Sequence, residues 1–320
     1  MGFRRTGRCT IRLLLRTAAI LTIASTATAT AACGATAGST AKSKHRILLI
    51  VAGQSNALGL GSYAVDPTTG VDYLTHPYAN DADKHDKIIW PAGWLDKMNT
   101  TRPSRLDRPQ MCAKCGTSTP DQVFGPEIGL ARQIWIDTKT AVTIVKTGWA
   151  VTTLAVDWNP SASGGIFSQM FSEVHNVIAS DAAHGQIDTI GAFYWYQGEN
   201  DAIDPSYYPK YRTNLANFIS AVRAHLPMGN APVAIAKESI AAAIAIEESG
   251  GTCSICAQQR AGDAAVRAAD DWAAANIPNV VEVDTLGLPR TGTGLLIHLS
   301  NVGELTLGAT LARVTEHSFP

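Results

Sequence analysis

Three short stretches of this chain carry residues able to do acyl-transfer chemistry. The first is Gly53-Gln54-Ser55-Asn56, directly after the unbroken apolar run Ile47 to Val51. Such a run reads as a strand buried on both faces, and Gly53 breaks it, so one hydroxyl lies at a strand's carboxyl end. Taken alone, Ser55 is either a nucleophile or an ordinary capping residue. The second stretch is Gln197-Gly198-Glu199-Asn200-Asp201, which follows the apolar segment ending in Tyr194-Trp195-Tyr196. The third is His298, just ahead of the small-residue segment around Gly303 and Gly308. A hydroxyl, a base, amide side chains and a carboxylate converging on one sheet edge are what nucleophilic acyl transfer requires.

The elements that must hold these residues alternate along the chain. Strand signals recur at 141–146, 189–196, 232–236 and 280–283. Between them, Gly125-Pro126-Glu127 opens one helix, with proline in the first turn and an acid at the positive dipole end. Phe167, Met170, Phe171, Val174, Val177 and Ile178 stripe a second; Tyr211, Leu215, Phe218, Val222 and Leu226 stripe a third; Val266, Ala269 and Trp272 mark a fourth. This alternation predicts an α/β fold, a three-layer α/β/α sandwich around a central parallel sheet. Open sheets of that kind keep their ligand crevice at the carboxyl ends of the strands. The pattern fails between Gly61 and Pro120, a long Pro-, Gly- and Asp-rich stretch carrying Trp90 and Trp94. Following the first strand, it is expected to cover the crevice, its tryptophans serving as a sugar platform or as pins for the loop.

Composition bounds the rest. Of the 320 residues 46% are hydrophobic and 17% charged, which describes a globular chain. Formal net charge is −1; residues 1–32 hold five arginines and no acid, so the remainder carries −6. That balance gives no reason to expect a nucleic-acid partner. Residues 1–32 read as a signal peptide, with arginines first, a small and apolar stretch next, and Ala29-Thr30-Ala31 suited to a signal peptidase. Arg4-Arg5 offers a weak twin-arginine match, and Thr30-Ala31-Ala32-Cys33-Gly34 resembles a lipoprotein box. Export is expected, to the periplasm, the cell envelope or the medium, with any membrane attachment through a lipid on Cys33. Residues 33–44 form a linker and 45–320 one domain.

The blocks, taken together and in order, resemble the SGNH hydrolases, within them the sialic-acid-specific acetylesterase and acetylxylan esterase group. Matching pieces are Gly53-Gln54-Ser55-Asn56, Gly125-Pro126-Glu127, Lys146, the segment Thr153 to Pro160, Trp195-Tyr196-Gln197-Gly198-Glu199, and His298 with Gly303 and Gly308. The resemblance implies Ser55 as nucleophile and His298 as general base, an acetylated carbohydrate as substrate, and no cofactor or metal. Oxyanion donors are expected from the Ser55 N–H, the backbone at Val151, and the amides of Gln197 or Asn200; Gln54 is expected, with Trp90 and Trp94, to touch substrate. Two departures stand out. Leu295 occupies the place where the family has Asp three residues before the histidine, which leaves the Leu295 carbonyl, Glu199 or, more weakly, Asp284 to orient the ring. The family's Gly-Gly-Thr-Ser reads Ala150-Val151-Thr152-Thr153, where a positive φ at Val151 would be strained. Both lie in the catalytic machinery, so a catalytically impaired carbohydrate-binding relative is the alternative reading.

Cys112, Cys115, Cys253 and Cys256 form two Cys-x-x-Cys pairs. They read as disulfides in an exported protein, with a structural zinc site as the competing arrangement.

Overall fold

The computed structural model describes residues 44–63, 65–66, 69–73, 85–89, 110–112, 121–291 and 296–319. The expected signal peptide, Cys33, Trp90, Trp94, Cys115 and Leu295 lie outside the described residues, as does the side chain of Cys112. The described residues belong to one unit, Lys42–Pro320.

The apolar run of the first stretch becomes β1 (Lys44–Gly53), at the heart of a sheet. Its neighbours are β2 (Lys87–Ile89), β5 (Val142–Gly148), β6 (Gln186–Tyr196), β7 (Val233–Lys237) and β8 (Val280–Asp284), in spatial order β2-β5-β1-β6-β7-β8. Every pairing in this sheet is parallel. A separate two-stranded antiparallel ribbon pairs β3 (Gln110–Cys112) with β4 (Asp121–Val123).

Alternation along β1 serves two cores. Leu48, Ile50 and Ala52 face one layer, joined by Phe193, Trp195, Val233 and Ile235. That layer is covered by α3 (Ile166–Ala183), α5 (Tyr211–His225) and α7 (Cys256–Asn276). Ile47, Leu49 and Val51 face the other layer, with α1 (Ser55–Leu58), α2 (Glu127–Thr138) and α8 (Asn301–Thr315). A strand covered on both faces needs apolar residues at every position, which is why β1 shows no polar alternation. The shorter helices α4 (Glu199–Ile203) and α6 (Ala241–Ser249) follow β6 and β7.

Two features level the sheet's edge. Gly53 is in register with Gly148 of β5 and Tyr196 of β6, so three strands end together. Gly53 also has φ of 150°, and a Cβ there would fall 1.9 Å from the Tyr196 carbonyl oxygen. Only glycine lets the chain turn off β1 so close to β6. Strand β5 precedes β6 in the chain, yet the two flank β1 on opposite sides. The sheet order therefore reverses at β1, and a crevice opens at its carboxyl end.

Candidate active site

Ser55 sits where β1 gives way to the four-residue α1, and it is 5% exposed. The Gln54 N–H donates to the Tyr196 carbonyl at 3.0 Å, which pins the turn to the end of β6. Beneath it lies a buried ion pair. Lys146 Nζ approaches Glu127 Oε2 at 2.7 Å and donates to the Leu58 carbonyl at 3.1 Å, fastening α1 to β5 and α2. Burial pushes the Lys146 amine down, against the attraction of Glu127.

His298 lies on a strap after β8. Thr291 N–H donates to the His298 carbonyl at 3.0 Å, and Arg290 bridges to Leu299 in antiparallel fashion. Asn56, the residue after Ser55, reaches across to this strap. Its Nδ2 donates to the Ile297 carbonyl at 3.1 Å, and its Oδ1 accepts the Leu299 N–H at 3.0 Å. One buried amide thus grips the main chain on both sides of His298 while its own backbone adjoins Ser55. The His298 ring is half-buried, and burial, with the nearby Arg290 charge, lowers its pKa. Both effects favour the neutral imidazole, the form that accepts a proton.

The amide side chains form a directed relay. Asp201 accepts the Leu154 and Ala155 N–H groups at 2.8 and 3.2 Å and Gln197 Nε2 at 2.6 Å. Burial nevertheless pushes the Asp201 carboxyl up to about 6. Gln197 Nε2 also faces the Thr152 carbonyl at 3.1 Å and Gln54 Oε1 at 3.2 Å. Gln54 Nε2 in turn donates to Asn200 Oδ1 at 3.1 Å. An ionised carboxylate only accepts, so the acid at one end sets the polarity of each amide in turn. Asn200, with its oxygen taken and its side chain partly exposed, is left with its Nδ2 as the donor.

This sorts the expected oxyanion donors. Gln197 is fully buried and its amide faces three acceptors inside the protein, so it serves the relay. Gln54, expected to touch substrate, is 1% exposed with both amide ends bonded, and the relay is its role too. Asn200 and Val151 remain at the rim. Val151 is 77% exposed and has φ of 60°, the positive value foreseen at the glycine-to-valine change. The loop around it is held from outside: Trp149 N–H donates to the Gly53 carbonyl, and the buried Trp158 indole donates to Thr152 Oγ1, both at 3.0 Å. Trp158 meets Trp195 edge-on, with ring centroids 5.0 Å apart. A cavity of about 420 Å³ opens beside this loop, lined by Trp149, Val151, Val156, Asp157, Ile166 and Gln169.

Glu199 is 3% exposed, and its Oε1 accepts from Asn56 Nδ2 at 2.9 Å. Among the described residues its carboxylate makes no hydrogen bond to the His298 ring; it reaches the histidine through Asn56 and the strap instead. Asp284 pairs with Arg267 at 2.7 Å, away from that role. Glu238, just past β7, and Arg290 join the site without having been singled out in the sequence. The signal for Glu238 was an acid following an apolar strand, as at Glu199. Cys253 and Cys256 are joined to each other by a disulfide at the start of α7.

A parallel α/β/α sheet, reversing at a strand that ends in the serine of Gly-Gln-Ser-Asn, with a histidine on the strap before the last helix, defines the SGNH class of fold. The profile of the family described as "Carbohydrate esterase, sialic acid-specific acetylesterase" matches residues 45–317. The chain belongs to that family, and so to the carboxylic ester hydrolases. Among solved structures, a protein from Arabidopsis thaliana is similar at 20% identity and a TM-score of 0.58, over 86% of this chain and 99% of that one. The protein NanS is similar at 15% identity and a TM-score of 0.50, over 86% of this chain and 96% of its own. These likenesses concern the fold. No curated protein matches the chain.

Proposed function

We propose that the chain is an exported serine esterase that removes O-acetyl groups from a carbohydrate of the acetylxylan or O-acetylated sialic acid type. The observation that supports this most is the Asn56 bridge, which ties the Ser55 turn to both sides of His298. In this reading His298 takes the Ser55 proton as Oγ attacks the acetyl carbonyl carbon. The C=O electron pair moves to oxygen, and that charge is met by the N–H groups of Ser55 and Val151 and by Asn200 Nδ2. Collapse breaks the bond to the sugar oxygen, which leaves with the proton from His298. Water, deprotonated by the same ring, then attacks the acetyl-serine, and acetate departs as Ser55 recovers its proton. Export rests on the amino-terminal pattern of residues 1–32, and attachment through Cys33 on the same segment. No helix among the described residues is long and apolar enough to cross a membrane.

A binding-only reading draws on Val151, whose strained backbone stands where the family has glycine. Hydrolysis of p-nitrophenyl acetate by the mature protein, beside Ser55→Ala, separates the two. Turnover abolished by Ser55→Ala supports the esterase; a folded protein with no turnover, yet binding xylan or sialoside oligosaccharides, supports the alternative.

A further inference from the structure

Two acids buried behind the Ser55 turn take no part in the chemistry just described. Glu199 and Glu238 are 3% and 2% exposed. Asn56 Nδ2 faces Glu199 Oε1 at 2.9 Å and Glu238 Oε2 at 3.0 Å, besides the Ile297 carbonyl. Glu238 Oε1 accepts the Ser239 N–H at 2.7 Å and lies 3.7 Å from Arg290 Nη1. The same Arg290 nitrogen donates to the Ile297 carbonyl at 2.7 Å. Both carboxyls therefore end, through one intermediary each, on the residue before His298.

Their environments are unequal. Glu238 has a cation and a backbone donor on one oxygen and the Asn56 amide on the other. Glu199 Oε2 is buried and faces no donor among the described residues. A carboxylate oxygen in that position is satisfied only by holding a proton and donating it. The acceptor at hand is the Glu238 carboxylate, whose Oε2 meets the same Asn56 Nδ2 at 3.0 Å. Two buried carboxylates meeting one amide nitrogen do not both ionise readily, because burial penalises each charge and each repels the other, while Arg290 lies on the Glu238 side. Burial first, then the Glu238 charge, raises the Glu199 carboxyl well above its ordinary range. At Glu238 burial also raises it, but Arg290 pulls the other way.

We propose that Glu199 and Glu238 share one proton, carried on Glu199, and act as a single positioning unit that holds the strap bearing His298 through Asn56 and Arg290. This rests on the reading of Ser55 and His298 as the reacting pair. The unit supplies what the missing family acid would otherwise do only in part: it fixes the main chain about the histidine rather than the ring. Other titratable groups around it are Tyr196 from β6, Tyr211 from α5, Asp263 from α7, Glu304 from α8 and His298 itself. The further positive charge beside it is Arg267 of α7, whose Nη1 donates to the Glu238 main-chain carbonyl at 3.0 Å and whose Nη2 pairs with Asp284 at 2.7 Å.

The test compares Glu199→Gln, Glu199→Ala and Glu238→Gln for kcat, KM and pH profile. Glutamine keeps a donor where protonated Glu199 has one, so Glu199→Gln stays within about 3-fold of wild type while Glu199→Ala loses about 10-fold or more in kcat. Glu238→Gln removes the charge facing Arg290 and lowers kcat by about 10-fold or more with KM nearly unchanged. The wild-type kcat declines at alkaline pH as the shared proton leaves, and Glu199→Gln lacks that decline. Carbon-13 NMR of the glutamate carboxyls gives a readout free of activity: a neutral carboxyl at neutral pH that is lost in Glu199→Gln and retained in Glu304→Gln, since burial raises Glu304 as well. Two ionised carboxyls at neutral pH, or a loss of about 100-fold in kcat for Glu199→Gln, overturns the proposal. Activity that survives Ser55→Ala overturns the reading beneath it, and the NMR result stands apart from that outcome.

Discussion

Val151 offers the sharpest test of how local strain is carried at this site. Its φ of 60° places a β-branched residue in the left-handed region, at about 1–2 kcal/mol relative to an unstrained backbone. Its side chain is 77% exposed, so truncation removes only about 0.5 kcal/mol of burial. Val151→Gly relieves the strain but enlarges the conformational freedom of the unfolded chain, which opposes it by about 0.5–1 kcal/mol. The balance lies between about 0.5 kcal/mol against the variant and about 1 kcal/mol in its favour, a change in Tm of at most about 3 °C for a domain of this size. An exposed Val→Gly change at ordinary φ would instead destabilise. Urea and thermal unfolding of both proteins, with kcat measured on the same samples, decide the matter. The account expects a Tm within about 2 °C of wild type or higher, and kcat no lower than wild type. A fall in stability of more than about 1 kcal/mol would refute the strain argument.

Three further outcomes follow from the geometry. Lys146→Met leaves Glu127 buried without its ion-pair partner and should destabilise by about 3–5 kcal/mol in urea unfolding. The His298 pKa is depressed, so kcat/KM should hold as pH falls through the ordinary histidine value of about 6.5 and drop only at the lower folded-state value; the stability tied to the neutral ring is full above about 6.5 and lost as pH falls through the folded value, readable as Tm against pH. Cys253 and Cys256 close a loop of sequence separation 3, so thiol titration should find them unreactive until reduction, and Cys253→Ser with Cys256→Ser should cost about 2 kcal/mol or less by unfolding.

The fold was legible because its strands are buried on both faces and its helices on one. The runs at 47–51, 141–146, 189–196, 232–236 and 280–283 are apolar but for Thr143, Lys146, Thr189, Gly191 and Glu282, and each became a sheet strand. β2 and the β3–β4 ribbon escaped notice because three residues carry no period. At the site, the positions of Ser55 and Glu199 could be read from strand ends and that of His298 from the small-residue segment after it, but not the partner each side chain would choose. Gln54 and Asn56 find theirs 143 to 243 residues away, on the ends of β6 and on the strap. A motif such as Gly-Gln-Ser-Asn shows which residues cluster. It does not show that its glutamine lies inside an amide relay or that its asparagine grips the histidine's main chain. Glu238 and Arg290 had no motif at all, since their meaning exists only where β7 ends beside the strap.

The central claim is that Ser55 is a nucleophile activated by His298. Its most direct test is labelling of the folded mature protein with a fluorophosphonate, followed by peptide mass spectrometry. The account predicts one adduct per chain, on Ser55, abolished in Ser55→Ala and slowed in His298→Ala. An adduct on another residue, or none on folded protein, would contradict it.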